Sequence, residues 1–159
     1  MINMNLIDKL FRREDLGLDI CPPYLIRRTL FRLPFGIACY LHHYVGDDWS
    51  LDLHDHPKRF ISIGLWGSYI EEFVLPHDAS FNIYRIQQFK APWIRTFPAE
   101  HRHRLVLQHN PITGNIIECW TLCIVGPTVR KWGFWHAGRW IYWQDYITNK
   151  ELVQKVKSC

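Results

Sequence analysis

The stretch that decides the fold is His54-Asp55-His56-Pro57-Lys58-Arg59-Phe60-Ile61-Ser62-Ile63-Gly64-Leu65-Trp66-Gly67. Side chains alternate across an extended strand, so His54 and His56 share a face and both imidazoles can reach a single ion. A third ligand is then expected from elsewhere. Further along, Phe97-Pro98-Ala99-Glu100-His101-Arg102-His103-Arg104-Leu105 reads as a Pro-led turn followed by a strand that again presents histidine.

Outward from these two segments the chain reads as short strands separated by turn residues. Strands are expected over Tyr24–Leu33, Ile37–Val45, Trp49–His56, Phe81–Phe89, Trp93–Phe97, His103–Gln108 and Ile116–Val125. Phe60–Trp66 and Ser68–Leu75 flank Gly67 as an expected hairpin, and Pro76–Ser80 reads as a polar loop. Residues 4–16 place Met4, Leu6, Ile7, Leu10 and Phe11 near one helical face, which predicts a short amphipathic helix laid on the barrel. Leu152, Val153 and Val156 have helical spacing between Asn149 and Lys157. Many short strands without an alternating helix pattern point to an all-β sandwich or barrel with short flanking helices at both termini.

Length and composition exclude several classes. A chain of 159 residues fits one domain, read as residues 1–159 with a core over about 24–146. Its 48% hydrophobic content and 8 Trp supply a packed interior and exclude a disordered chain. The net charge of +4 is spread without a run of five basic residues, so no nucleic-acid partner is expected. The start has no apolar stretch long enough for a signal peptide, and no window approaches a membrane span, which makes the cytoplasm the expected location. Five cysteines without Cys-x-x-Cys spacing suggest neither a disulfide framework nor a zinc ribbon, and Cys119 and Cys123 read as core thiols. Aromatic surface to spare predicts a homodimer.

The two histidine segments resemble the two motifs of the cupin superfamily, small β-barrels with a metal in the mouth. The first motif there reads His-x-His, three or four residues, Glu, six residues, Gly; here Phe60 stands in the Glu place and Gly67 in the Gly place. The second reads Pro-x-Gly-x-x-His, and Pro98, Glu100 and His103 occupy its positions, with Glu100 where the family has Gly. Tyr40-Leu41-His42, Gly67-Ser68-Tyr69, Glu71-Glu72, Thr121-Leu122, Gly126-Pro127 and Trp132-Gly133-Phe134 extend the likeness to a group of small cupins encoded by bacteria and their phages. The resemblance implies a double-stranded β-helix, or jelly-roll barrel, and a metal site. It implies no substrate.

By this resemblance the ligand set is His54, His56 and His103, whereas His101 falls at the turn as a rim residue. Three neutral imidazoles without the carboxylate leave a divalent ion its full charge and open positions for water or an anionic substrate. A similar three-histidine arrangement occurs in thiol dioxygenases of the cupin superfamily, so Fe(II) is the first expectation, with Zn, Ni or Mn as alternatives. Glu71 or Glu72 is a candidate base or extra ligand, and Glu72 is chosen together with Arg130, a candidate anion clamp, as the catalytic pair. His42 is a candidate hydrogen-bonding partner behind the metal. The expected function is a metal-dependent enzyme, an oxygenase or an isomerase or lyase, acting on a small anionic molecule. The alternative is a metal-containing binding or sensing module without turnover.

Overall fold

A computed structural model describes residues 4–18, 21–74 and 84–154. The helix expected over residues 4–16 is shorter: α1 (Met4–Leu10) gives way to β1 (Arg12–Leu16), which pairs antiparallel with β2 (Leu25–Arg32). Charge pairing explains the change. Glu14 stands opposite Arg27 and accepts from its Nη2 at 2.7 Å, and Asp8 accepts from Nε of the buried Arg28 at 2.6 Å. A helix continued to residue 16 would give up the ladder that brings Glu14 to Arg27.

Among the described residues all strand pairs are antiparallel and join into one continuous 12-stranded ladder, which β5, running through both parts, divides into two sheets. The first runs in the order β1, β2, β3 (Ala38–Tyr44), β10 (Cys119–Thr128), the first half of β5 (Lys58–Val74) and β7 (Trp93–Phe97). The second runs β6 (Tyr84–Lys90), the second half of β5, β8 (Arg102–His109), β4 (Leu53–His54), β11 (Gly133–His136) and β12 (Arg139–Tyr142), with β9 (Ile116–Ile117) on the end of β8. Tyr69, Leu105 and Leu107 of the second sheet pack on Cys119 of the first, with Tyr44, Phe89 and Trp93 around them. Burying these large apolar side chains is the main favourable term holding the sheets together.

The hairpin expected about Gly67 is instead one continuous strand that leaves the first sheet and enters the second. Gly67 makes this corner at φ +80°, where a Cβ would lie 2.0 Å from the Glu118 carbonyl oxygen. On β10, Trp120 faces Trp66 but Thr121 faces Gly64, so Leu65 is an extra residue in the ladder, a β-bulge. The bulge inverts the inside–outside phase: Ser62 and Gly64 are buried before it, Tyr69 and Glu71 after it.

Of the strand expected over Trp49–His56, only Leu53–His54 forms, because side chains hold the approach to it. Asp48 Oδ2 and Asp47 Oδ1 accept the Leu105 and Leu107 amides at 2.8 and 2.7 Å. Asp55 is 1% exposed and accepts from the Gly133 amide at 2.8 Å, Trp140 Nε1 at 3.0 Å and Arg130 Nη1 at 2.8 Å. The residue between the two histidines thus fastens their loop to the β11–β12 hairpin. A helix α2 (Trp143–Thr148) follows that hairpin, and α3 (Lys150–Gln154) lies within the helix expected from Asn149 to Lys157, whose last residues are outside the described ones. The loop Pro76–Ser80 and the strand start at Phe81 also lie outside them. Cys39, Cys119 and Cys123 are free buried thiols, whereas Cys21 is disulfide-bonded, a pairing that local cysteine spacing does not signal.

Gly114 has a similar positive φ of +70° but open space around it. Alanine at Gly114 is expected to cost about 1 kcal/mol from backbone conformation alone, and Gly67→Ala distinctly more because the Glu118 carbonyl must also move. Urea unfolding of both variants checks this. Equal losses would show that the contact at the corner is unimportant.

Candidate metal centre

Strands β4 and β8 of the second sheet meet at a single pair of residues, His54 opposite His103. His56 lies just beyond β4, held by its amide donating to the Ala99 carbonyl at 2.9 Å. The rings of His54, His56 and His103 have centroids 4.8–5.1 Å apart, and one ring nitrogen from each lies within 4.8 Å of the others. Nε2 of His56 is 2.8 Å from Nε2 of His103. The two rings share a hydrogen bond there, and the separation is close to that of two nitrogens bound at right angles to one ion at about 2.1 Å, which is about 3.0 Å. Burial depresses His54 and His103 to about 4 and His56 well below its ordinary value. The imidazoles are therefore neutral near pH 7, the form that offers a lone pair.

Behind His103 sits a carboxylate. Glu71 is fully buried, and its Oε1 accepts from His103 Nδ1 at 2.6 Å and from His101 Nε2 at 2.8 Å. Its Oε2 is ion-paired to Arg95 Nη1 at 2.6 Å, and Arg95 also donates to the Tyr69 hydroxyl at 3.0 Å. Burial alone would raise the Glu71 carboxyl, but hydrogen bonds from His101 and His103 and the Arg95 charge outweigh it and hold it well below the carboxylate range. With Nδ1–H given to Glu71, His103 keeps its Nε2 lone pair toward His54 and His56. Glu71, His101 and His103 also lie close enough to share an ion, although hydrogen bonds already join them. His54 has a looser counterpart: its Nδ1 is 3.7 Å from Asp48 Oδ2, whose carboxyl burial raises to about 6.

The structure gives three of the expected residues surroundings that the sequence did not signal. Glu72 turns away from the histidines and binds Arg104 Nε at 2.7 Å, because the bulge at Leu65 puts Glu71 on the inner face. Alternation counted from Phe60 without the bulge selects the wrong member of the pair. Arg130, expected as an anion clamp, gives its Nη1 to Asp55 Oδ2 at 2.8 Å and to the Ala99 carbonyl at 3.4 Å. His101 is no rim residue but is 8% exposed, its ring 4.9 Å from that of His103 and its proton committed to Glu71. Phe60, in the family's carboxylate place, packs edge-on to His56 at 4.8 Å and stacks on Phe97 at 4.6 Å. The three histidines open onto a cavity of about 520 Å³, with His42 on its wall and depressed by burial to about 3. Asp48 and Arg95 were not signalled in the sequence, since neither belongs to a local motif.

Replacing His103 by Ala is expected to abolish stoichiometric metal binding, followed by metal titration with elemental analysis. Glu71→Gln should weaken it by about 10–100-fold and Glu72→Gln should leave it unchanged. The reverse order for the two glutamates would overturn the phase inversion as the reason for the choice. Acidity provides a second check on the metal-free protein. His42, His54, His56 and His103 all have folded pKa values below the unfolded one, so the unfolded chain binds more protons below about pH 6.5. Stability is thus present above that pH and is lost as pH falls toward about 4; His43 and Glu71, also lowered, act in the same direction, and Asp48, raised to about 6, opposes them. Chemical denaturation at pH 7.5 and 4.5 is expected to show the loss; equal stability would contradict neutral burial of the histidines.

Neither a family model nor a curated protein matches the sequence. Solved structures do. One is the Fe(II) form of HppE, hydroxypropylphosphonic acid epoxidase of S. wedmorenis, with 12% identity and a TM-score of 0.50, covering 72% of this chain and 56% of that one. The chain therefore spans little more than half of that enzyme. Another is Streptomyces Pac13, described as a nucleoside dehydratase, with 7% identity and a TM-score of 0.53 over 86% of this chain and 92% of that one. A Klebsiella pneumoniae protein with a double-stranded β-helix domain has 12% identity and a TM-score of 0.49 over 80% and 92%. Such identities speak for the fold alone, an antiparallel β-barrel of the kind that Pac13 has.

Proposed function

We propose that the protein is a metal-dependent enzyme of the oxygenase or lyase kind, acting on a small molecule that presents an anionic oxygen to a divalent ion held by His54, His56 and His103. The observation that carries this reading is the convergence of three neutral imidazoles on a cavity of about 520 Å³, with Glu71 fixing the tautomer of one of them. A purely structural histidine cluster has no need of an adjoining chamber of substrate size. The bound ion would supply Lewis acidity or an oxygen-binding position. The chain's own residues do the rest: Glu71 orients His103, Asp48 stands beside His54, and the apolar walls exclude water from the ligand. Fe(II) is the favoured ion, in keeping with the Fe(II) form of HppE, and the dehydratase activity named for Pac13 keeps a lyase in view. Zn, Ni and Mn also accept three imidazoles.

Anaerobic purification followed by elemental analysis is expected to give one equivalent of a divalent metal, lost in His103→Ala. With Fe(II) present, oxygen uptake screened against small thiols and small acids separates oxygenase from lyase activity. Persistent absence of stoichiometric metal would overturn the reading. A full site that turns over none of the tested molecules would favour a binding or sensing module.

A further inference from the structure

We propose that the cavity accepts a ligand with an aromatic ring bearing a single carboxylate or phenolate oxygen, the oxygen toward the three histidines and the ring in the chamber. This names the substrate class for the site above and rests on that reading only for the oxygen. The walls are the reason. The first sheet contributes Tyr40 and Tyr44, Phe60 and Phe97 stack beside His56, and Trp132 and Trp143 stack on each other at 5.7 Å with planes 9° apart. Ring faces and edges at this density favour another ring over an aliphatic chain of equal area by about two- to tenfold.

Charge argues against a polyanion. Among the described residues lining the cavity, the Lys and Arg side chains are Arg27 and Lys58. Arg27 gives Nε and Nη2 to Glu14 at 2.9 and 2.7 Å and lies over the Tyr40 ring at 4.9 Å, while Lys58 donates to the Gly36 carbonyl at 3.2 Å. Arg130 lies outside the lining and gives its Nη1 to Asp55 and to the Ala99 carbonyl. Among the described lining residues a phosphate or phosphonate dianion would find no uncommitted guanidinium fork to match its oxygens, which is what such groups are ordinarily given. One carboxylate needs only the ion. Ser62 on the wall offers room for further hydroxyl or carbonyl substituents without adding charge.

Calorimetry on the whole chain, metal-free and loaded with redox-inert zinc, tests this with benzoate, benzyl alcohol, octanoate, acetate and inorganic phosphate. Benzyl alcohol is expected to bind both forms alike, and benzoate to bind the zinc form at least about tenfold more tightly than acetate or phosphate. Octanoate should be weaker than benzoate. Filling the chamber with Ser62→Phe should remove ring binding while zinc content stays full. Trp143→Ala, farther from the core, should weaken ring binding several-fold if the first variant does not fold. Benzyl alcohol binding without zinc uptake would sink the metal reading and leave the chamber standing. Zinc uptake with no ring binding, octanoate equal to benzoate, or phosphate equal to benzoate would overturn the inference.

Discussion

A carboxylate buried to zero exposure in the middle of a β-barrel is tolerable only if its charge is met: Glu71 Oε1 accepts from His103 and His101, and Oε2, which has no hydrogen-bond partner, is met by the charge of Arg95 at 2.6 Å. These partners come from β8, from the turn before it and from β7, so a single charge ties the two sheets across the interior. The same bonds aim His103 at His54 and His56. Stability and site geometry are therefore not separable here: whatever frees Glu71 leaves a buried charge unpaired and a ligand without a fixed tautomer.

The segments around the histidines contain little regular structure, and buried aspartates replace it. Asp47 and Asp48 take the amides of β8 that a neighbouring strand would otherwise take, and Asp55 gathers donors from the β11–β12 hairpin and Arg130. Backbone amides facing the interior must find acceptors, and a side-chain carboxylate serves where the chain bends too sharply for a ladder. The outcome is a rigid frame that holds a histidine pair on a short strand end. Such preorganisation is what a metal centre with an open coordination face requires.

Asp48 adds a second kind of environment. It faces the cavity with a carboxyl raised by burial, whereas Glu71, at similar depth, is driven down by its donors. Two carboxylates on opposite sides of one histidine cluster, pushed in opposite directions by their surroundings, provide an asymmetry that the three imidazoles lack by themselves. Aromatic side chains line the cavity beside them.

The sequence by itself determined the all-β architecture and the pairing of His54 with His56, because strand alternation is a local rule and turn residues are read where they stand. It also brought His103 into view through the spacing of its motif. Only the tertiary structure decided between Glu71 and Glu72: one bulged residue at Leu65 shifts the alternation so that Tyr69 and Glu71, and not Ile70 and Glu72, are buried, and the bulge arises from how β10 pairs with that strand. The fates of Arg130, Glu72 and His101 were likewise hidden, since their partners Asp55, Arg104 and Glu71 lie 75, 32 and 30 residues away in the chain. Local patterning states which residues can face inward; which charges remain free once there depends on neighbours that folding alone brings together.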